Sequence, residues 1–161
     1  MTDIRVYVGQ KGCGKSTLLR HHLKGEKRLI VLDPNREADY AEGSMFADHP
    51  LQLLQAVRNP TFKVMVGVPF GGNAVQVFKD ACHVAWAVQE TAAGELRMVW
   101  EEIHNFRTGN VLPAEGVSII NQGRHRGIGV SVAGRRPTGL RDLTASVTHA
   151  YLFRTSEPAD L

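Results

Sequence analysis

Gly9-Gln10-Lys11-Gly12-Cys13-Gly14-Lys15-Ser16 directly follows the apolar run Ile4–Val8 and leads into a helix-forming stretch from Ser16 to about Lys24. The spacing is G-x-x-x-x-G-K-[S/T], set between a strand and a helix. Few local patterns constrain a chain so tightly. Glycines let the backbone wrap closely around an anion in conformations that side chains forbid. Successive amide N–H groups then point inward, and the new helix aims its positive end at the same place. The pattern predicts a phosphate-binding (Walker A) loop. Gly9, Gln10, Lys11, Gly12, Cys13, Gly14, Lys15, Ser16 and Thr17 would cradle ATP. Lys15 would reach the β- and γ-phosphates, and Ser16 would hold Mg2+.

Strand-like and helix-like stretches alternate along the rest of the chain. Arg28–Leu32, Phe62–Val68, Leu96–Trp100, Gly129–Ala133 and His149–Phe153 read as buried strands. Helices are expected around His49–Val57, over Ala74–Ala92, over Pro113–Gln122 and, briefly, over Gly139–Val147. In the second of these, Ala74, Phe78, Ala81, Ala85, Val88 and Ala92 recur at helical spacing. Such alternation predicts an α/β fold, a three-layer α/β/α sandwich with a mainly parallel sheet. A length of 161 residues fits a single domain, 1–161, with no internal repeat or linker. Ligands of such sheets bind beyond the carboxyl ends of the strands. The glycine loop, Asp33, Glu101-Glu102 and Arg135-Arg136 all follow strands, so they are expected on one edge.

Leu96-Arg97-Met98-Val99-Trp100-Glu101-Glu102 is an apolar strand ending in two acids, as in a Walker B motif. Hydrolysis of ATP needs one carboxylate near the Mg2+ shell and a second to orient or deprotonate the attacking water. By position Glu101 takes the metal role beside Ser16, and Glu102 the catalytic one. The usual first acid is Asp, and the extra methylene of Glu101 moves its carboxylate outward. Two alternatives remain open at this stage. A nucleotide or small-metabolite kinase would use an acid where Asp33 stands, but would need an arginine-bearing lid that is not evident. A non-hydrolysing, ATP-dependent switch or scaffold would keep the fold around a silent site.

The stretch Asn121-Gln122-Gly123-Arg124-His125-Arg126-Gly127-Ile128-Gly129, the following strand and Arg135-Arg136-Pro137 extend the pattern. With the turn Asp33-Pro34-Asn35-Arg36-Glu37, they resemble the HerA–FtsK superfamily of P-loop motor ATPases. The flavour is that of short phage-type members, related to packaging ATPases and zonula-occludens-toxin-like assembly proteins. The resemblance spans about residues 4–157. It implies a P-loop NTPase of RecA-like (ASCE) architecture and Mg2+-dependent ATP hydrolysis. It further implies a homo-oligomeric, commonly hexameric ring acting on double-stranded DNA, in translocation or packaging, with a capsid or other partner protein. An arginine from the neighbouring subunit would stabilise the transferring phosphoryl group, and Arg124 and Arg126 are the matching positions, Arg124 preferred. Where the family often carries a γ-phosphate-sensing Gln, this chain has Arg135.

No stretch approaches the ~20 apolar residues of a membrane span. The N-terminus lacks a secretory pattern, and two cysteines, Cys13 and Cys82, make no disulfide framework, so a cytoplasmic setting is expected, that of the host for a phage protein. A net charge of +3 is compatible with nucleic acid without requiring it. His21, His22, His104 and His125 show no zinc spacing, so no metal beyond Mg2+ is expected. Trp86 and Trp100 read as core or interface residues. With no DNA-binding appendage evident, DNA contact is expected from pore loops near Phe70–Asn73 or Asn105–Asn110, or from a partner protein.

Overall fold

The computed structural model describes residues 2–37, 43–136, 140 and 143–154. Its elements are β1 (Ile4–Val8), α1 (Lys15–His22), β2 (Arg28–Leu32), β3 (Met45–Ala47), α2 (Pro50–Ala56), β4 (Phe62–Val66), α3 (Ala74–Thr91), β5 (Leu96–Trp100), α4 (Ala114–Gln122), β6 (Ile128–Gly134) and β7 (His149–Leu152). The strands form one seven-stranded sheet in the order β3-β4-β2-β5-β6-β1-β7. Every pairing between these strands is parallel, so the sheet is more uniform than the mainly parallel one expected.

Burial follows position in the sheet. The inner strands β2, β5 and β6 are buried along their whole length, as strands covered on both faces must be. The edge strands β3 and β7 stay largely exposed. On one face, α2, α3 and α4 pack on Ile30, Leu32, Val64, Met98, Trp100 and Val130. On the other, Leu19 of α1 and Leu23 just beyond it cover Tyr7, Leu29, Val31, Met65 and Val99. Neighbours along each strand alternate between the two clusters, as the two-residue side-chain period requires. This is the expected three-layer α/β/α arrangement.

Phe78 of α3 is the hub of the larger cluster. Its ring meets Trp100 edge-on at 4.9 Å and stacks on Phe106 at 5.2 Å. Gly116 lets α4 settle against it, because a Cβ there would lie 2.7 Å from the Phe78 ring. Asn73 caps α3, its side chain accepting from the Gln76 amide at 3.2 Å. Trp100 is therefore core, whereas Trp86 is only partly buried.

Three expectations change in detail. β3 is additional. It has three residues, two of them exposed, so it carries no long apolar signal. β4 stops at Val66, two residues short of Val68, and Gly67 donates its amide to the Ala47 carbonyl at 3.3 Å. The helix expected over Gly139–Val147 lies partly outside the described residues; within them, Ser146 closes a single turn onto the Leu143 carbonyl at 2.9 Å. Among the described residues no helix is long and apolar enough to cross a membrane.

Candidate functional site

The carboxyl ends of β1, β2, β5 and β6 carry the polar residues singled out in the sequence. The loop after β1 is threaded tightly into the sheet edge. The Gly9 amide donates to the Gly134 carbonyl at 3.2 Å, and that of Gln10 to the Arg154 carbonyl at 3.1 Å. A side chain at Gly9 would put its Cβ 2.6 Å from the Phe153 Cβ. Gly12 and Gly14 take left-handed backbone angles, φ +81° and +97°, which glycine adopts without steric cost. Gly14 is also the N-cap of α1, and no side chain occupies the cap. The first-turn amides of the helix are thus presented with its positive end toward the loop.

The Lys15 ammonium lies across the loop. It donates to the carbonyls of Gly9 at 2.5 Å and Gln10 at 2.6 Å, and its Nζ is 3.8 Å from the Cys13 Sγ. These contacts hold the lysine head at the loop, where it would meet phosphate oxygens. Gly9, Gln10 and Cys13 form the back of the loop. Lys11, Gly12, Gly14, Lys15, Ser16 and Thr17 face a cleft of about 400 Å³. That volume lies in the range typical of small-molecule sites.

The opposite wall comes from β5. The Glu101 amide continues the ladder, donating to the Leu32 carbonyl at 2.9 Å. The chain then turns sharply. Glu102 has φ 49° and ψ 52°, a left-handed conformation uncommon outside glycine. A short 3-10 helix, Ile103–Phe106, follows, and its buried Ile103 and Phe106 hold the turn in place. Such strain costs about 1–3 kcal/mol and persists only when the surroundings enforce it. Its effect here is to turn the Glu102 carboxylate toward the end of β6.

β6 lies between β1 and β5, so two strand spacings, about 9.5 Å, separate the glycine loop from the acids. Arg135, just beyond β6, sits in the gap. Its Nε donates to the Glu102 Oε1 at 3.0 Å. The other carboxylate oxygen, Oε2, is buried and lies 3.4 Å from the His104 Nδ1, without a hydrogen bond. Arg135 is about half exposed, so the pair is of the weak, screened kind, worth at most ~1 kcal/mol. Asp33 completes the edge from β2. It is buried, and its Oδ1 accepts the Asn35 amide at 2.9 Å, which shapes the turn after the strand.

The donor set suits a hard cation. Ser16, Glu101 and Asp33 bring oxygen ligands to one cleft, and no cluster of three or more His, Cys, Asp or Glu ligands exists among the described residues. Mg2+ is characteristically held by one or two protein oxygens together with substrate phosphates. Ser16 and Glu101 would hold it here.

The fold gathers Lys15, Ser16, Glu101, Glu102 and Arg135 but leaves two predicted residues elsewhere. Arg124 and Arg126 lie on a 3-10 helix, Gly123–Arg126, before β6. The seven residues of β6 set them roughly 20 Å from the loop of their own chain. Arg126 is tied to α3: its guanidinium lies 4.2 Å from the Trp86 ring centroid, and Nη1 donates to Glu90 at 3.1 Å. The Arg124 side chain is exposed at the opposite end of the sheet from the cleft.

Sequence reasoning missed three contacts: the Arg135–Glu102 pair, His104 beside Glu102, and Phe153 behind Gly9. Residues two apart do not normally face each other on a helix, and only the left-handed backbone at Glu102 brings His104 alongside. His22 is partly buried, with Nδ1 2.8 Å from the Tyr7 hydroxyl. The Asn105–Asn110 segment leads into a compact turn closed by an antiparallel bridge between Thr108 and Val111.

No family model matches the sequence, and no curated protein matches it. Solved structures do share its fold. The genome packaging NTPase B204 from Sulfolobus turreted icosahedral virus 2, in complex with ATP-gammaS, is similar with a TM-score of 0.77 at 20% identity; the match covers 99% of this chain and 78% of that one. For the N-terminal domain of zonular occludens toxin from Neisseria meningitidis the TM-score is 0.55 at 16% identity, covering 92% and 75%. The cytoplasmic domain of EssC gives 0.57 at 14% identity, covering 99% of this chain and 32% of that one. The chain thus has the three-layer fold of P-loop ATPases.

Proposed function

We propose that this chain is a Mg2+-dependent ATPase of the HerA–FtsK type that works as a ring-forming motor on double-stranded DNA, in translocation or genome packaging. The observation that carries the reading is the single cleft onto which Lys15, Ser16, Glu101 and Glu102 converge from two strands about 9.5 Å apart. Loop amides and Lys15 bind the phosphates. Ser16 and Glu101 would hold Mg2+, which when bound would supply neutralisation of the phosphate charge. Glu102 orients the attacking water and accepts its proton.

The motor assignment has separate support. The similar B204 is a genome packaging NTPase, and its structures hold AMPPCP and ATP-gammaS. Arg124 is too far from its own loop to touch a nucleotide there, and an exposed place at the sheet's opposite end suits service to a neighbouring subunit. Phe70, fully exposed in the segment that follows β4, suits a pore-loop contact with DNA. A capsid or other partner protein would complete the machine. Glu102 on the same cleft disfavours the kinase alternative, because a water-orienting acid serves hydrolysis.

Phosphate release from Mg-ATP, with and without double-stranded DNA and across protein concentrations, tests the reading. Specific activity should rise with both. Flat, negligible release under all conditions would overturn it in favour of a silent switch or, with an acceptor, a kinase.

A further inference from the structure

We propose that the groove between the carboxyl ends of α2 and α3 is a docking site for a partner protein, and that it takes an extended apolar peptide segment carrying one carboxylate. The site stands apart from the nucleotide reading. It lies at the amino-terminal end of β2, the length of that strand, roughly 17 Å, from the cleft.

The groove has a volume of about 620 Å³, in the range of small-ligand sites. Its lining is mostly apolar. Val57 and Val84 are buried beneath it, whereas Leu54 is 40% exposed and Val88 is only partly buried. Covering these side chains removes apolar surface from water, which favours an occupant with apolar groups.

Arg28 selects the charge of that occupant. It opens β2, lines the groove and is only 5% exposed. Its guanidinium lies 5.4 Å from the Phe62 ring centroid, and Nη1 donates to the Ala93 and Gly94 carbonyls at 3.5 and 3.0 Å. Among the described residues no carboxylate pairs with it, and burial lowers its pKa with no neighbouring charge to offset the effect. Arg97, the other buried arginine among the described residues, is by contrast paired with Asp3 and Glu26. Arg58 stands exposed at the same groove, also without an acidic partner among the described residues. A buried cation without a counter-charge is costly, and a carboxylate entering the groove would supply one through charge-assisted hydrogen bonds.

The helix ends select the form of the occupant. α2 and α3 both finish here, and the carbonyls that end a helix lack intrahelical partners and carry partial negative charge. Peptide N–H groups can donate to them. A lipid acid has no such donors, and a nucleic-acid backbone would bring a row of negative charges against them. A peptide with apolar side chains around a single Asp or Glu meets the arginines, the apolar lining and the carbonyls together.

The test is selection of random dodecapeptides on the full chain, followed by anisotropy titration of the enriched sequences. The enriched set should carry one Asp or Glu among apolar residues. Replacing that acid by its amide should weaken binding about 10-fold or more, as should Arg28→Met in the protein. Ala87→Glu, at an exposed position on the groove, should abolish binding by setting a carboxylate beside the arginines. Circular dichroism checks that each variant is folded; should Arg28→Met fail to fold, Ala87→Glu decides alone. No enrichment over the Ala87→Glu chain, or enriched peptides indifferent to their own acid, would overturn the proposal. Oleate or a short DNA duplex binding in an Arg28-dependent way, with no peptide enriched, would overturn it too and give the groove to a lipid acid or to DNA.

Discussion

Lys15 and Glu102 are expected to fail in different ways when replaced. The Lys15 ammonium is held by the Gly9 and Gln10 carbonyls at the mouth of the loop. Lys15→Ala removes the ammonium held at the mouth of the loop to neutralise the terminal phosphates, so nucleotide affinity and phosphate release should drop together. Glu102→Gln keeps the shape of the side chain and loses its basicity. It should bind ATP and slow phosphate release by about 10²-fold or more, seen as bound triphosphate persisting in a single-turnover experiment. Wild-type turnover in Glu102→Gln would remove Glu102 from the base role.

At the scale of elements, two close approaches hold the layers in register. α4 reaches α3 through Gly116, where a Cβ would already press on the Phe78 ring. Gly116→Val forces the two helices apart or Phe78 off its rotamer, at a cost of about 1–3 kcal/mol, which thermal unfolding would register as a lowered midpoint. The second approach lies within the sheet. Arg97 of β5 is almost fully buried, with Nη2 2.6 Å from the Asp3 Oδ1 and Nε 3.4 Å from a Glu26 oxygen. It fits because Gly129 stands opposite it on β6, where a Cβ would lie 2.6 Å from the Arg97 Nη1. Asp3→Asn would leave a buried cation short of its nearest counter-charge. A loss of roughly 3–5 kcal/mol is expected, measured by urea unfolding.

For the whole molecule, acid should act in one direction through two groups. Burial acts to raise the Asp3 pKa, but hydrogen bonds and charge from Arg97 and Arg5 outweigh it and hold the carboxyl below its ordinary value. Burial, then the charges of Arg5 and His21, holds His22 below the usual histidine value. In both cases the unfolded chain takes up its proton first as pH falls, so stability is lost on acidification. The urea midpoint should be flat from about pH 7 to about 8, decline below about 6.5 as His22 enters its window, and decline again below about 4 with Asp3. His22→Gln should remove the first decline and Asp3→Asn make the second shallower; a midpoint that rises toward acid would contradict both assignments. Assembly is tested at the same scale. Arg124→Ala and Glu102→Gln subunits, each inactive alone, should regain part of their phosphate release when mixed, because hybrid interfaces pair an intact base with an intact arginine. Verified mixed rings without any recovery would count against Arg124 acting between subunits.

Much of this was legible in order along the chain. The glycine loop announces its own geometry, since glycine reaches the left-handed angles found at Gly12 and Gly14 without steric cost. The mostly apolar runs of the inner strands specify a sheet buried on both faces, and with it the edge where Lys15, Glu101 and Arg135 meet. β3 was not legible, because an exposed three-residue edge strand owes its conformation to its partner β4 and to no pattern of its own. Nor was the pairing of Glu102 with Arg135, 33 residues apart and joined only once β6 settles between β1 and β5. Residue types and local periodicity determine which chemistry this chain carries and along which edge it lies. Strand order and one left-handed turn decide which of those groups touch, because contact across a parallel sheet depends on long-range pairing that no local stretch encodes.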